Sequence, residues 1–161
     1  MVGDTSRKSG IIAGGVLALV TLVTFAVLQF YGPESVVRQF HRVVIAVQPF
    51  EEGHQSEWGS VMRLVAGSPN VPESVQQNDV VQLARFVDWC RGYSFEIRMA
   101  EPIKVDGTSR ERVFIVYYPP DPRAPRLGRT WIMVKANRRW YVSAHETAEV
   151  WRQMGWLPPG Y

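Results

Sequence analysis

The amino-acid sequence predicts an α+β fold: an N-terminal transmembrane helix, then a cone-shaped domain of about three helices packed on a curved antiparallel sheet of about four strands. Three observations predict it. Ser9 to Pro33 contains no charged side chain. From there to Arg91 the apolar residues recur at helical spacing. From Tyr93 onward they recur at every second residue, with turn residues between the runs.

At 161 residues the chain has room for one compact domain and a short appendage. Its 46% hydrophobic and 20% charged content excludes a disordered polyelectrolyte, a collagen and a coiled coil. A single cysteine excludes a disulfide framework and a Cys-rich zinc site. A net charge of +3 does not by itself demand a nucleic-acid partner.

The expected organisation is a short tail over residues 1–10, a membrane helix over 11–31, a domain over 32–155 and a C-terminal tail over 156–161. Ile11 to Phe30 is long enough to span the hydrocarbon of a bilayer, since each helical residue rises ~1.5 Å. Thr21, Thr24 and Gln29 are its only polar residues. Tyr31 follows as an interfacial anchor, and Gly32-Pro33 breaks the helix. A buried core helix is excluded because no face of the run is polar and a domain this small has no room to surround it. A cleaved signal peptide is the rival, but Thr24-Phe25-Ala26 is a poor cleavage site inside the apolar run. Arg7 and Lys8 before the run favour a cytoplasmic N-terminus and an extracytoplasmic domain in a cell membrane.

Glu34 to Val47 is an amphipathic helix with Val36, Val37, Phe40, Val43, Val44 and Val47 on its apolar face. Gln55 to Val65 is a shorter helix that Gly67-Ser68-Pro69-Asn70 ends. A third, from Pro72 or Asn78 to Arg91, directs Val80, Val81, Ala84, Val87 and Cys90 inward, with Asp79 and Asp88 on solvated flanks. Phe95, Ile97 and Met99 then form the apolar side of a strand, with Glu96 and Glu101 facing away. Asp106-Gly107 marks a hairpin. Strands follow at Arg112–Tyr118, Thr130–Ala136 and Trp140–Ser143, with a proline-rich loop over Pro119–Arg126. Glu146 to Met154 is a closing helix.

Two segments carry a family likeness. One is the opening helix Pro33-Glu34-Ser35-Val36-Val37-Arg38-Gln39-Phe40-His41-Arg42. The other is the closing hairpin Trp131-Ile132-Met133-Val134-Lys135-Ala136-Asn137-Arg138-Arg139-Trp140-Tyr141-Val142. Over Glu34 to Ser143 the chain resembles the nuclear-transport-factor-2-like (cystatin-like cone) superfamily, in a bacterial-type membrane-tethered form. The resemblance implies a pocket between the concave sheet and the helices. Some relatives are isomerases or dehydratases with Asp, Tyr or His in that pocket, and many have no activity, so fold alone does not decide function.

Phe40, Val44, Asp88, Tyr93 and Tyr117 are the candidate pocket residues. No pair among them supplies named acid and base roles, so no catalytic residue is assigned and the expected role is non-catalytic binding or assembly. The alternative is a pocket enzyme of the isomerase or dehydratase type acting near the cone mouth. No histidine pair has metal-ligand spacing, and no metal or cofactor is expected. Cys90 reads as a small buried hydrophobe.

Lys104 to Arg139 holds nine basic residues against three acidic ones, whereas Glu34 to Glu101 holds six against nine. Arg123, Arg126, Arg129, Arg138 and Arg139 are therefore candidates for a basic surface that meets an acidic protein or anionic headgroups. The expected partners are the bilayer, through Ile11 to Phe30, and a protein partner or a second copy, through the sheet. Nucleic acid is disfavoured. The second copy is expected because Val113, Ile115 and Tyr117 on one face and Phe114, Val116 and Tyr118 on the other are all apolar. Helices can cover only one face, unless the closing helix or the tail folds back over the other. Trp131 or Trp140, or both, should pack against Phe40.

Overall fold

The computed structural model describes residues 32–48, 50, 58–105 and 107–156. The predicted tail 1–10, the membrane run 11–31, the start of the second helix at 55–57, Asp106 and the chain beyond Trp156 lie outside the described residues. Among the described residues no helix is long and apolar enough to cross a membrane.

Helix α1 (Pro33–Val47) begins with proline at its first position, where the missing N–H is no loss. Val37, Phe40, His41, Val44 and Val47 form its buried stripe. The helix ends at Gln48, which turns to a left-handed φ of 48°. Helix α2 (Trp58–Met62) is shorter than the predicted Gln55–Val65 stretch. The backbone beyond it is taken by a strand-like contact: Val142 donates to the Leu64 carbonyl and accepts from the Ala66 N–H.

Helix α3 (Glu73–Trp89) starts directly after Pro72. The Gln76 amide stitches the loop before it, accepting from Ser68 N–H and donating to the Ser68 and Val71 carbonyls. Val80, Ala84, Val87 and Cys90 point inward as the spacing predicts. Leu83 and Phe86 join them, and Val81 is only half-buried. Asp79 is a correction: it is fully buried rather than solvated, because it lies four residues before Leu83 and seven before Phe86, on the same helix face.

Four strands follow as an antiparallel meander, β1 (Ser94–Val105), β2 (Thr108–Tyr118), β3 (Leu127–Ala136) and β4 (Arg139–Val142), in spatial order β1-β2-β3-β4. Among the described residues the fold is thus α+β, with an open four-stranded sheet and four helices. β1 outruns the predicted segment and shifts register between Ile97 and Met99. One extra residue there turns Met99 to the outer face, opposite Phe114, and leaves it 43% exposed instead of beside Phe95 and Ile97. The bulge and Pro102 both interrupt β1, the strand that ends the sheet.

The inner face carries Val113, Ile115 and Tyr117 of β2, Trp131 and Met133 of β3 and Val142 of β4, all buried against α1 and α3. Of the two tryptophans expected against Phe40, Trp131 is the one that reaches it, with ring centroids 5.5 Å apart. Trp140 is half-buried and stacks under Lys135 at the start of β4.

Helix α4 (Ala144–Gln153) starts two residues before the predicted Glu146 and closes the edge of β3 that short β4 leaves open. Thr147 Oγ1 accepts from the Ile132 N–H at 2.9 Å, and Trp151 Nε1 donates to the Thr130 carbonyl at 2.6 Å. The match is geometric: four helical residues rise ~6 Å, and two strand residues on one edge rise ~6.6 Å. Trp151 also wedges its ring between Phe86, at 4.8 Å, and Trp131, at 5.2 Å. On the outer face Phe114, Val116 and Tyr118 are half-buried, while Thr130 and Ile132 of β3 are buried. A Cβ at Gly128 would stand 2.7 Å from the end of the Phe114 ring, so a larger residue there would push that ring aside.

Trp131→Ala should therefore lower stability in urea by ~3–5 kcal/mol, and Trp140→Ala by about 1 kcal/mol or less. Equal losses would contradict the different burial of the two rings.

Candidate functional site

The concave side of the sheet is where a pocket is expected, and a polar chain crosses it. His41 Nδ1 lies 2.7 Å from the Val37 carbonyl, which can only accept, so that nitrogen carries the proton. Nε2 then accepts from the Tyr117 hydroxyl at 2.6 Å, and that oxygen accepts from Trp131 Nε1 at 3.1 Å. The imidazole is enclosed by the rings of Phe95, Trp131 and Tyr117 at 4.6, 5.0 and 5.6 Å. Burial lowers its pKa from 6.5 to about 4, against the opposing pull of the Val37 carbonyl. Burial likewise raises the Tyr117 hydroxyl well above its usual range. Both groups are neutral at neutral pH, and each is satisfied by the other.

Of the pocket candidates, Phe40, Val44 and Tyr117 are core residues with almost no exposure. Asp88 pairs with Arg91 at the end of α3, and with Phe50, Arg85 and Trp89 it lines a shallow surface recess of about 350 Å³. Tyr93 is half-buried against Trp89, 5.9 Å between rings. Among the described residues no hydrogen bond joins Asp88, Tyr93 and Tyr117.

A second polar cluster ties α3 to α4. The buried Asp79 carboxylate receives His145 Nδ1 at 2.8 Å on one oxygen and Arg152 Nη2 at 2.7 Å on the other. Both partners keep an exposed side, so the carboxylate is desolvated while they are not. Among the described residues no group of three or more His, Cys, Asp or Glu side chains could hold a metal ion.

The basic candidates separate to opposite ends of the sheet, because successive hairpins alternate ends. Arg123, Arg126 and Arg129 belong to the β2–β3 end. Arg123 is exposed in the loop, and its N–H is held by Asp121. Arg126 lies 5.1 Å over the Tyr118 ring. Arg129 is clamped between Phe86, at 5.0 Å, and Trp156, at 5.4 Å, and burial lowers its pKa. Beside it, burial pushes the Cys90 thiol up to about 12, so this sulfur is a neutral buried group.

Arg138 and Arg139 stand at the β3–β4 turn, the same end as the β1–β2 turn. Asn137 and Arg138 both have left-handed φ, 49° and 65°, as a two-residue I′ turn requires. Between these two turns lies a groove of about 590 Å³ that includes Lys104, Arg110, Glu111, Lys135 and Trp140. Burial, then the neighbouring Glu34, raises the Glu111 pKa, and Lys135 opposes the shift. Arg110 is tied to Glu146 of α4 at 3.1 Å.

No family model, curated protein or solved structure matches this chain. Its chemistry is therefore argued from its own residues. Sequence reasoning missed Asp79, Lys104, Lys135 and Trp140. The signal for Asp79 was present in its spacing to Leu83 and Phe86. The groove had no such signal, because its residues come from four separate strands.

Two expectations follow. For His41 the folded pKa lies below the unfolded one, so the unfolded chain binds the proton first as pH falls. Stability is therefore intact above pH 6.5 and is lost between 6.5 and about 4, by up to about 3 kcal/mol. Urea melts against pH would show it, and His41→Gln should flatten the curve over that window. A variant curve as steep as the wild type would sink this account. Asp79→Asn should lower stability by about 2 kcal/mol, less than a wholly buried pair costs, since Arg152 and His145 can turn to water.

Proposed function

We infer that the chain is a membrane-anchored binding or assembly module without a catalytic role, which presents its α+β domain outside the cytoplasm to a protein partner or small apolar ligand. The nuclear-transport-factor-2-like resemblance of its opening helix and closing hairpin is part of this reading. The observation that carries it is how the concave side is used. His41, Tyr117 and Trp131 are spent on one another there, and Phe40 and Val44 are buried core residues.

A pocket enzyme needs an acid and a base that converge on one substrate atom. Tyr117 is engaged in the core and Asp88 is paired with Arg91, so the alternative lacks support from these residues. Recognition then falls to surfaces. The outer face of β1 and β2 offers Met99, Phe114, Val116 and Tyr118, partly exposed and apolar. A second copy meeting this face would close a two-fold dimer with no free end, and a shared bilayer would raise its local concentration. Membrane anchoring rests on the uncharged run ahead of α1.

A photo-crosslinking residue at Met99 or Val116 tests the surface in native membranes, with Ser74 on the exposed side of α3 as control. The expected result is an adduct from the two sheet positions, at twice the chain mass for a homodimer, and none from Ser74. Absence of sheet adducts would overturn the interface. Release of the full chain by alkaline carbonate would overturn the anchor.

A further inference from the structure

We propose that Arg129 anchors a carboxylate-binding site: its guanidinium, at the β2–β3 end of the inner face, takes the carboxylate of a small ligand with an apolar body. The inference rests on the binding-module reading and names the chemistry of its small ligand. It does not depend on the membrane run.

Position is the first observation. Arg129 stands opposite Ile115 in the β2–β3 register, two residues from Leu127 and two from Trp131 on the same side of β3. That side faces the core, where an apolar residue is the ordinary choice. The guanidinium lies over the buried Phe86 ring at 5.0 Å and the half-buried Trp156 ring at 5.4 Å. With rings against its faces, hydrogen bonding is left to its edge. There Nη1 donates to the Gly128 carbonyl at 2.8 Å, Nε is enclosed with no partner, and Nη2 has no acceptor.

Charge is the second. Arg98, Arg110 and Arg152 each meet a carboxylate, that of Glu96, Glu146 and Asp79 respectively. Arg110 Nε is also enclosed without a partner, but Glu146 balances its charge. Arg129 is half-buried, and among the described residues it lies in no salt bridge. Burial accordingly lowers its pKa. The two rings offset only part of the lost hydration of a cation. A ligand that brings one negative charge supplies what the fold does not.

The shape of the group selects the ligand. One guanidinium neutralises one carboxylate and presents coplanar N–H groups to its two oxygens. A phosphate brings more charge than a single arginine balances. The other cations of this end are not directed to help, since Arg126 lies over Tyr118 on the outer face and Arg123 is exposed in the loop. Leu127 and Trp156, both half-buried, offer apolar surface to the body of the ligand.

The test titrates the full chain in detergent micelles with benzoate in a calorimeter. Benzamide serves as the uncharged isostere and inorganic phosphate as the second anion. The expected result is saturable one-site binding of benzoate, with benzamide and phosphate weaker by about tenfold or more. Arg129→Gln should weaken benzoate roughly tenfold, and so should Arg129→Lys, which keeps the charge but not the planar fork. Arg123→Gln should leave binding unchanged. Benzoate should also raise the melting temperature of the wild type and not that of Arg129→Gln. Should the glutamine variant fail to fold, the lysine variant decides the question. Benzoate bound as tightly by a folded Arg129 variant as by the wild type would overturn the proposal. So would the absence of saturable benzoate binding, or phosphate bound more tightly than benzoate. Benzoate binding without crosslinks at Met99 and Val116 would keep this site and overturn the sheet interface alone. Crosslinks without benzoate binding would refute the site alone.

Discussion

The buried chain from Val37 through His41 and Tyr117 to Trp131 is the constraint on which most of the structure depends. It joins α1, β2 and β3 by hydrogen bonds at the point where three aromatic rings also meet. An imidazole in such a place is tolerated only if both nitrogens are satisfied without a charge. The Val37 carbonyl and the Tyr117 hydroxyl meet that condition in one tautomer, which fixes the position of α1 along β2. With α1 so placed, Phe40 reaches Trp131, and His41, Tyr117 and Trp131 are buried together there.

A second constraint acts at the other side of β3. A four-residue β4 cannot pair the whole strand, and an unpaired edge would leave Thr130 and Ile132 backbone groups without partners. Helix α4 supplies them through Thr147 and Trp151, one helical turn apart. Asp79 then holds α4 against α3 through His145 and Arg152. The two polar clusters divide the work: one sets α1 on the sheet, the other sets α4 beside it. Trp151 touches both Phe86 and Trp131, so the aromatic packing is continuous between them.

The charge distribution takes its meaning from this frame. The basic half of the sequence does not form one surface, because a meander sends alternate turns to opposite ends. Lys104 and Lys135 lie at the end of the sheet that carries the turn of Arg138 and Arg139. Arg123, Arg126 and Arg129 gather near the end of α3, where aromatic rings occupy two of them. What the sequence presents as a single basic stretch is two surfaces with different neighbours.

The sequence by itself determined what depends on local spacing. The α+β order, the stripe of α1 and the alternation in β2 follow from periods of 3.6 and 2. So do the turns at Gly107 and Asn137-Arg138. The buried thiol of Cys90 was legible too, as a small apolar residue on the inner face of α3. Tertiary structure decided what depends on residues distant in sequence. Met99 points outward because a bulge shifts one strand against its neighbour, and alternation cannot foresee an inserted residue. The partners of Asp79, His145 and Arg152, lie far along the chain, and only the fold brings them to it. Trp131 rather than Trp140 meets Phe40 because Trp131 lies beside His41 and Tyr117 in the middle of β3, whereas Trp140 stands beside Lys135 at the start of β4. Periodicity reports which face of an element is apolar; only packing decides what that face meets and which charges end up side by side.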